Sequence, residues 1–212
     1  MLRVVETFTS IQGESTQAGR KCFFIRLEGC NLSCTYCDTL YAASGGVEKS
    51  VTELVAAAES SGTRLVEITG GEPLVQQETP ALCDALLAAG FEVMMETNGS
   101  LPIDRIPEQV RRIVDYKLPD SGMHQKMLEE NFRKITPHDE VKFVVSSRRD
   151  FEYAEEICRR LELSRKTGNL LVSPVWGNFE FSELAQWILE SDQPLRMQLQ
   201  LHKLIWGTRP GV

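Results

Sequence analysis

The sequence predicts an α/β fold with a mainly parallel sheet. Short runs rich in β-branched and aromatic residues alternate with segments that repeat apolar residues at helical spacing. Most of these runs end at Gly, Pro or Asn, as strand-to-helix turns do. Strands that alternate with helices pair in parallel through right-handed crossovers. About six such units can be counted, too few for the eight of a closed barrel of ~250 residues. The pattern itself indicates only a parallel α/β fold.

The predicted strands are short and bulky. The first, residues 2–8, alternates weakly and precedes a polar segment, residues 10–15, that we predict as a turn. The second, residues 22–27, stops at Gly29. The remaining predicted strands are residues 64–69, 91–97, 112–117, 141–145, 170–173 and 195–201. Loops at the carboxyl ends of such strands are where parallel α/β folds place their active sites.

Helical segments are predicted between these strands. Ser50 and Glu53 match a capping box, so an alanine-rich helix should begin there and end at Gly62. Residues 78–89 repeat apolar side chains at helical spacing and stop at Gly90. The others are a short helix and turn at 129–135, an amphipathic helix at 150–163 with Ser147 as its candidate cap, and a helix at 181–190.

The composition is that of a globular protein, and we expect a single domain over residues 1–212. Hydrophobic residues make up 42% and charged residues 25%, which permits a substantial core. The net charge of −7 argues against a broad nucleic-acid surface, which needs clustered Lys and Arg. No apolar run approaches the ~20 residues of a bilayer span, and the N-terminus lacks a signal-peptide pattern. We therefore expect a cytoplasmic protein with no membrane or nucleic-acid partner.

Three of the six cysteines, Cys30, Cys34 and Cys37, have the spacing C-x3-C-x2-C. Four-iron clusters are usually held by four thiolates, so three on one loop would leave an iron open for chemistry. A zinc site would need a fourth ligand, and the three histidines are all distant in sequence. Reduced cysteines that merely pack are the remaining alternative. The other cysteines lie in strand or helix patterns and are predicted to pack: Cys22, Cys83 and Cys158.

The cysteine spacing, with Tyr36 just before the last cysteine, resembles the cluster loop of the radical S-adenosylmethionine (SAM) enzymes. The resemblance implies a [4Fe–4S] cluster on Cys30, Cys34 and Cys37, with SAM chelating the open iron through its methionine amino and carboxylate groups. It also implies a partial (β/α) barrel, splayed open to admit substrate. A flavodoxin or ferredoxin is the implied electron donor.

Further strand ends match the SAM-binding segments of that family. The turn Gly70-Gly71-Glu72-Pro73 by itself is an ordinary strand-to-helix turn, in which glycine lets the backbone approach a ligand. Beside the cysteine loop, it resembles the segment that binds the methionine amino group, which the Glu72 carboxylate could receive. The full set of implied cofactor-binding residues is Tyr36, Asp38, Gly71, Glu72, Asp115, Tyr116, Lys117, Ser173, Pro174, Val175 and Trp176.

Flanking motifs resemble one branch of this family. They are Ser10-Ile11-Gln12-Gly13-Glu14, Arg26-Leu27-Glu28-Gly29-Cys30-Asn31, Cys37-Asp38-Thr39 and Leu201-His202-Lys203-Leu204-Ile205-Trp206. That branch converts 6-carboxy-5,6,7,8-tetrahydropterin to 7-carboxy-7-deazaguanine with release of ammonia, on the route to queuosine, and the resemblance implies a homodimer. The implied Mg²⁺ ligand is Thr39. The implied substrate-binding residues are Ile11, Gln12, Gly13, Glu14, Arg26 and Thr69.

The chemistry of these residues agrees with a carboxylated pterin. Arg26 offers a planar fork for a carboxylate, although a surface ion pair is its alternative role. Gln12 can both donate to and accept from a polar ring. Magnesium takes oxygen ligands and keeps several waters, so Thr39 with substrate oxygens would suffice; otherwise Thr39 caps its loop. The chain departs from the branch pattern at Ser15, usually Gly, and at Asp115-Tyr116, usually a Ser/Pro-type pair.

Two other functions remain open at this point. An activase that installs a glycyl radical on a partner protein would use the same cluster loop, but it would not need Arg26 and Gln12 as a clamp for the pterin. A noncatalytic iron–sulfur or zinc-binding adaptor would need neither SAM nor substrate. Production of 5′-deoxyadenosine from SAM separates the adaptor from the enzymes, and conversion of the pterin separates the synthase from the activase.

Overall fold

The computed structural model describes residues 1–209 and 211–212; Pro210, inside the predicted domain, lies outside the described residues. Over that part of the chain, nine strands form one sheet in the order β3-β1-β2-β4-β5-β6-β7-β8-β9. The strands are β1 (Leu2–Ile11), β2 (Lys21–Leu27), β3 (Val47–Lys49), β4 (Leu65–Gly70), β5 (Glu92–Thr97), β6 (Arg111–Asp115), β7 (Glu140–Val145), β8 (Leu170–Pro174) and β9 (Arg196–Met197). The α-helices are α1 (Val51–Ser60), α2 (Thr79–Ala88), α3 (Glu129–Arg133), α4 (Arg148–Arg160), α5 (Phe181–Glu190) and α6 (Leu201–Trp206).

The sheet is parallel from β2 through β4 to β9, and six crossovers join these strands. Its outer strands, β3 and β9, each pair on one side only, so the sheet is open and not a closed barrel. This confirms the predicted α/β fold and its partial barrel. Where the crossovers carry long helices, the predicted caps form: the Ser50 side chain accepts a hydrogen bond from Glu53 N–H, and the Ser147 side chain accepts one from Asp150 N–H.

The prediction of a turn over residues 10–15 is wrong at its start. Strand β1 runs on to Ile11, because Ser10 pairs with Cys22 and Ile11 with Lys21 in an antiparallel hairpin with β2. Backbone pairing to a neighbouring strand thus overrides the polar character of this segment. The same hairpin edge carries β3, which the sequence did not predict because it is three residues long and mostly exposed.

The predicted strand at 195–201 is also wrong. Only Arg196 and Met197 pair, with β8 at the sheet edge, and the chain then forms α6. The backbone N–H of Leu201 donates to the Gly13 carbonyl at 2.9 Å, which fixes the start of α6 over the loop after β1. Short apolar runs are compatible with either period, so the tertiary contact decides.

Several element bounds differ from those predicted, those of β6 and α4 among them. Strand β6 ends at Asp115, two residues before the predicted end, although the backbone N–H of Tyr116 still donates to the Lys142 carbonyl at 2.9 Å. Helix α4 begins at Arg148, directly after its Ser147 cap, and its regular hydrogen bonding ends at Arg160. A separate 3-10 turn, Leu163–Arg165, follows, so the predicted end at 163 overruns the helix. Helix ends commonly change to 3-10 geometry in this way.

The two faces of the sheet differ in the side chains that pack on them. A large apolar cluster packs the sheet against its helices. The inner, concave face carries only a small apolar cluster, made of Cys22, Phe24, Leu65, Met94 and Ile113 with Phe8 against it. Because strand side chains alternate between faces, the next inner-face positions along the same strands hold Arg26, Glu67, Glu96 and Asp115. Polar groups thus follow the apolar cluster toward the carboxyl ends of the strands.

The described helices include none long and apolar enough to cross a membrane. The longest, α4, has 13 residues, and its exposed face carries several charged side chains. This agrees with the absence of a long apolar run in the sequence.

Candidate active site

A pocket opens on the concave face, at the carboxyl ends of the parallel strands where α/β folds hold their ligands. Its floor is formed by inner-face side chains of β2, β4, β5, β6 and β7. Its walls are the loop after β1, the cysteine loop after β2 and the start of α6. Of the predicted site residues it is lined by Ile11, Gln12, Gly13, Glu14, Arg26, Cys30, Cys34, Tyr36, Cys37, Asp38, Thr39, Thr69, Gly71, Asp115, Lys117, Val175 and Trp176.

The cysteine loop brings all three of its thiols to this pocket. Cys30 and Cys37 are exposed and Cys34 is half-buried, and none is in a disulfide. The loop is tied to the sheet by the Tyr36 hydroxyl, which donates to the Val144 carbonyl at 3.1 Å. By contrast, Cys22, Cys83 and Cys158 are buried, which confirms them as packing residues.

The donor set fits an iron–sulfur cluster better than a single ion. Across residues 1–209 and 211–212, no three His, Cys, Asp or Glu side chains converge in the way that one metal ion needs. A structural zinc site requires such convergence of four ligands. Three thiols that each ligate a different iron do not converge on one point. Cys30, Cys34 and Cys37, free and facing one pocket, are therefore suited to three corners of a cluster.

The glycine turn after β4 packs directly on the cysteine loop. The backbone N–H of Glu72 donates to the Gly29 carbonyl at 2.8 Å. A Cβ on Gly71 would lie 2.7 Å from the Cβ of Cys30, closer than packed atoms approach. Only glycine permits this contact, so the two predicted cofactor segments form one surface.

The Glu72 side chain does not reach the pocket. It is fully buried, and it accepts hydrogen bonds from Leu74 N–H at 2.9 Å, Thr97 Oγ1–H at 2.9 Å and Asn98 N–H at 2.6 Å. Burial raises the pKa of this carboxyl, against the opposing effect of these hydrogen bonds. In this structure the carboxylate joins the ends of β4 and β5 and has no face open to a ligand ammonium.

The predicted segment after β6 divides between pocket and core. Lys117 Nζ lies 2.7 Å from Asp115 Oδ2, and Asp115 Oδ1 is buried with no partner among the described residues. Burial would lower the pKa of Lys117, but Asp115 outweighs it and raises that pKa. The Tyr116 ring instead packs in the core, 4.7 Å from the Phe132 ring centroid and 6.1 Å from that of Phe143. Its side chain therefore lies away from the site.

The predicted segment at the end of β8 divides in the same way. Val175 and Trp176 line the pocket, whereas Ser173 and Pro174 are buried in the strand. The Ser173 hydroxyl is buried without a partner within the described part of the chain. This strand end can therefore offer backbone groups and a partly exposed indole to a ligand.

Arg26, on β2 at the pocket floor, contacts two aromatic rings. Its guanidinium carbon is 5.9 Å from the Phe8 ring centroid and 5.7 Å from that of Tyr41. Its Nε donates to Glu6 Oε1 at 2.7 Å, so Arg26 does form the ion pair that was considered as its alternative role. No hydrogen bond from the described residues occupies its terminal nitrogens, which leaves a two-nitrogen edge for an anion.

The loop after β1 meets α6 and the sheet floor. Gln12 is buried: its Nε2 donates to the Glu67 carboxyl, and its Oε1 accepts from Glu14 N–H at 3.0 Å. Glu14 pairs with Lys142 and accepts from Gln200 Nε2 at 2.6 Å. The orientation of this loop is thus fixed by the protein itself.

Thr39 lies on the pocket rim at the end of the cysteine loop. Its hydroxyl donates to Asp38 Oδ1 at 2.9 Å, and Asp38 Oδ2 pairs with Lys203 of α6. Burial alone would raise the pKa of Asp38, but Lys203 and these hydrogen bonds lower it to about 2. The alternative role for Thr39, a cap on the loop backbone, is not what its hydroxyl does here.

The backbone conformation at Ser15 shows why glycine is usual at this position in the branch. Its backbone φ is +65°, a left-handed conformation that glycine adopts without steric cost. Serine meets part of that cost here, since its Oγ accepts from Gln17 N–H at 2.9 Å.

The sequence reasoning missed several pocket residues. Glu67, Glu96 and Lys142 come from the sheet floor, and Gln200, His202 and Lys203 come from α6. A signal for the first three was present, because charged residues inside strands buried on both faces are rare and need a partner. Gln200, which directly precedes α6, lay in the wrongly predicted strand, and His202 and Lys203 were named only as part of a branch motif, without a role in the site.

Comparisons with known proteins identify the family. Residues 24–188 match the Radical SAM superfamily. The chain is 40% identical to the 7-carboxy-7-deazaguanine synthase of Koribacter versatilis (strain Ellin345), over 97% of each chain. It is 42% identical to the 7-carboxy-7-deazaguanine synthase of Methanospirillum hungatei JF-1, over 96% of this chain and 85% of that one.

A solved structure supports the same conclusion at the level of fold. The crystal structure of QueE from Escherichia coli superposes with a TM-score of 0.78 at 24% identity, over 95% of this chain and 94% of that one. The family model and the two relatives confirm the family that the cysteine loop and the flanking motifs predicted. This chain belongs to the radical SAM superfamily and, within it, to the 7-carboxy-7-deazaguanine synthase family.

Proposed function

We propose that this enzyme converts 6-carboxy-5,6,7,8-tetrahydropterin to 7-carboxy-7-deazaguanine with release of ammonia, a step of 7-deazapurine and queuosine biosynthesis. The observation that carries the proposal is that the three-cysteine loop and the polar sheet floor open into one pocket. A small polar heterocycle would there lie against the cluster face. Relatives that match nearly the whole of this chain at 40–42% identity carry the name of this activity.

The radical SAM family implies a [4Fe–4S] cluster and SAM. Cys30, Cys34 and Cys37 would hold the cluster. When bound, the cluster and SAM supply a radical that removes a hydrogen atom from the substrate. The electron would come from a flavodoxin or ferredoxin, and the exposure of Cys30 and Cys37 leaves the cluster edge accessible from outside.

SAM would bind along the carboxyl ends of β4, β6 and β8. The backbone at Gly71 faces the cysteine loop and can offer its polar groups to the methionine end. Asp115 and Lys117 line this part of the pocket, where the Lys117 ammonium can donate a hydrogen bond to a ligand oxygen. Glu72 and Tyr116 would act through the backbone and the packing that they stabilise, whereas Tyr36, Asp38, Lys117, Val175 and Trp176 face the ligand space directly.

The substrate would lie between the sheet floor and the loop after β1. The free edge of Arg26 would bind the pterin carboxylate in a bidentate manner. Gln12, Glu14 and the backbone of Ile11 and Gly13 would hold the ring against the floor, with Thr69 beside it. The Arg26 side chain is only 15% exposed, and this partial burial strengthens its charge-assisted hydrogen bonds.

Magnesium would be held by the Thr39 hydroxyl together with substrate oxygens. The hydroxyl is a neutral, weak ligand, so a tight site needs the substrate as well. Asp38, with its pKa lowered to about 2, keeps a negative charge beside this position. A homodimer and a cytoplasmic location remain predictions alongside it.

Anaerobic reconstitution tests the proposal. With SAM, a reductant and the carboxytetrahydropterin, the protein should form 7-carboxy-7-deazaguanine and ammonia, and with SAM and a reductant alone it should form 5′-deoxyadenosine. Formation of 5′-deoxyadenosine with no pterin conversion would favour the activase, and formation of neither product would favour a noncatalytic adaptor.

A further inference from the structure

One carboxyl group at the pocket floor has no place in the scheme above. Glu67 lies at the centre of β4 with an exposed fraction of 3%, and its side chain lines the pocket. Its Oε2 accepts a hydrogen bond from Gln12 Nε2. Within the described residues no donor reaches its Oε1, which is not among the fully enclosed polar atoms. That oxygen is therefore available to a ligand.

The surroundings of Glu67 are unfavourable to a negative charge. Below it lies the small apolar cluster of the inner face, whose Phe24 is its register partner on β2. The cation that favours an ionised Glu67 is Lys142, but its Nζ already pairs with Glu14 and lies 2.7 Å from Glu96 Oε1. Glu14 and Glu96 therefore take the ammonium of Lys142, and Glu67 forms no ion pair with it.

The charged groups on the elements around Glu67 either disfavour its ionisation or are already paired with other side chains. Arg26, farther along β2, is paired with Glu6. The titratable or charged groups facing Glu67 are Cys22 on β2, Glu14 after β1, Glu96 on β5 and Lys142 on β7. Burial, then repulsion from Glu96 and Glu14, raises the pKa of Glu67 well above its ordinary value, with Lys142 and Gln12 opposing.

We propose that Glu67 is a neutral hydrogen-bond donor at the pocket floor, which binds an acceptor atom on the heterocyclic ring of the substrate while it holds Gln12 in place. In this arrangement Oε2 is the carbonyl oxygen and accepts from Gln12, and Oε1 carries the proton and donates into the pocket. The acceptor is a ring carbonyl oxygen or an unprotonated ring nitrogen. The inference rests on the proposed pterin substrate and names the group that reads one edge of its ring.

A neutral acid and an ionised carboxylate make opposite demands on the ligand. Ionised Glu67 would accept from a ring N–H, whereas protonated Glu67 requires an acceptor. Glutamine reproduces the protonated state in shape and polarity, because its carbonyl can accept from Gln12 and its amide can donate to the ring. Glu67→Gln therefore separates the two states, and Glu67→Leu removes both.

The test measures equilibrium binding of 6-carboxypterin, a fluorescent oxidised analogue, to the reconstituted protein with SAM present, between about pH 6 and about pH 9. Wild-type affinity should fall as the pH rises, because the donor is lost and a charge appears beside Glu14 and Glu96. Glu67→Gln should bind within about threefold of wild type at neutral pH and should lack that part of the fall. Glu67→Leu should bind about tenfold more weakly or worse.

The control is Glu140→Gln, which alters another buried carboxyl with a raised pKa, outside the pocket and bonded to Thr16. It should keep the wild-type pH profile, and thermal unfolding checks that each variant is folded. The ionisations of the ligand affect wild type and Glu67→Gln alike, so the difference between them reports Glu67. A Glu67→Gln protein that binds as weakly as Glu67→Leu, or a Glu67→Leu protein that binds as tightly as wild type, would overturn the inference while leaving the proposed function intact. Absence of binding to wild type would overturn the proposed function and, with it, the inference.

Discussion

Single side chains at the pocket perform two kinds of task. Some face the ligand space directly, such as the three loop cysteines and Arg26. Others hold the first kind in position, such as Glu72, whose buried carboxylate joins two strand ends. Substitution of the first kind should affect ligands with little effect on folding, whereas loss of Glu72 would leave buried donors unpaired, at a cost of about 1–3 kcal/mol each.

The cysteine loop gives the first prediction. Changing Cys30, Cys34 or Cys37 to Ala should abolish iron retention, visible absorbance and turnover, because each thiol faces the pocket and is free. Cys158→Ala is the control, since this thiol is buried against the helix side of the sheet. Iron content per protein measures the outcome. Equal iron loss in Cys158→Ala would refute the assigned ligands.

Arg26 gives the second prediction. Arg26→Lys keeps the charge but loses the two-nitrogen edge and the contacts with Phe8 and Tyr41, so substrate affinity should fall by about 1–3 kcal/mol. The cluster and SAM cleavage without substrate should persist. Arg20→Lys is a matched control, because Arg20 pairs with Glu92 outside the pocket. Titration with the carboxypterin analogue decides, and unchanged affinity in Arg26→Lys would remove Arg26 from the site.

Thr39 gives the third prediction. Thr39→Val keeps the side-chain shape and removes the oxygen, so it should lower turnover and weaken the response to added Mg²⁺ without loss of iron. In the wild type, Mg²⁺ should bind much more tightly with the pterin present than without it. Thr9→Val, at an exposed position on β1 outside the pocket, should behave as wild type. A full magnesium response in Thr39→Val would exclude Thr39 as a ligand.

At the scale of elements, α6 closes one wall of the pocket through few contacts. Leu201 N–H bonds the Gly13 carbonyl, Gln200 bonds Glu14, and Lys203 pairs with Asp38. Each of these partners is a predicted site residue. Movement of α6 would therefore alter both the substrate loop and the end of the cysteine loop.

Gly13→Ala tests this dependence. A Cβ on Gly13 would lie 2.9 Å from Cγ of the His202 ring, so the His202 side chain must shift, and we expect the start of α6 to shift with it. Hydrogen exchange of residues 201–206 should become faster while that of α1 stays unchanged, and analogue affinity should fall about tenfold. Gly168→Ala, where nothing lies within 4 Å of an added Cβ, is the control. Unchanged exchange in α6 would contradict the contact.

The elements also show where sequence reasoning succeeds. Turn chemistry and capping predicted α1 and the carboxyl ends of β2, β4 and β5, because Ser50, Gly29, Gly71 and Asn98 act through local backbone geometry. It failed for α6 and β3, since a segment at a sheet edge takes its conformation from a partner that the local sequence does not contain. The positions of Glu67, Glu96 and Lys142 follow from strand alternation only once the inner face is known.

For the whole molecule, the open sheet brings two chemistries together. The cysteine loop lies at the end of β2, and the charged floor spans β4 to β7, within one pocket. The cluster and SAM are implied by the family, while the substrate is our proposal from the pocket and the names of the relatives. The proposed function requires that a hydrogen atom of the pterin is removed inside this pocket.

The most direct measurement uses the carboxytetrahydropterin with deuterium at C6, incubated anaerobically with the reconstituted enzyme, SAM and a reductant. Mass spectrometry of the adenosyl products and of the pterin product follows the label. Because the SAM-derived radical would remove this atom, we expect deuterium in 5′-deoxyadenosine or in recovered SAM, together with formation of 7-carboxy-7-deazaguanine. Unlabelled 5′-deoxyadenosine with no deazaguanine formed would contradict it.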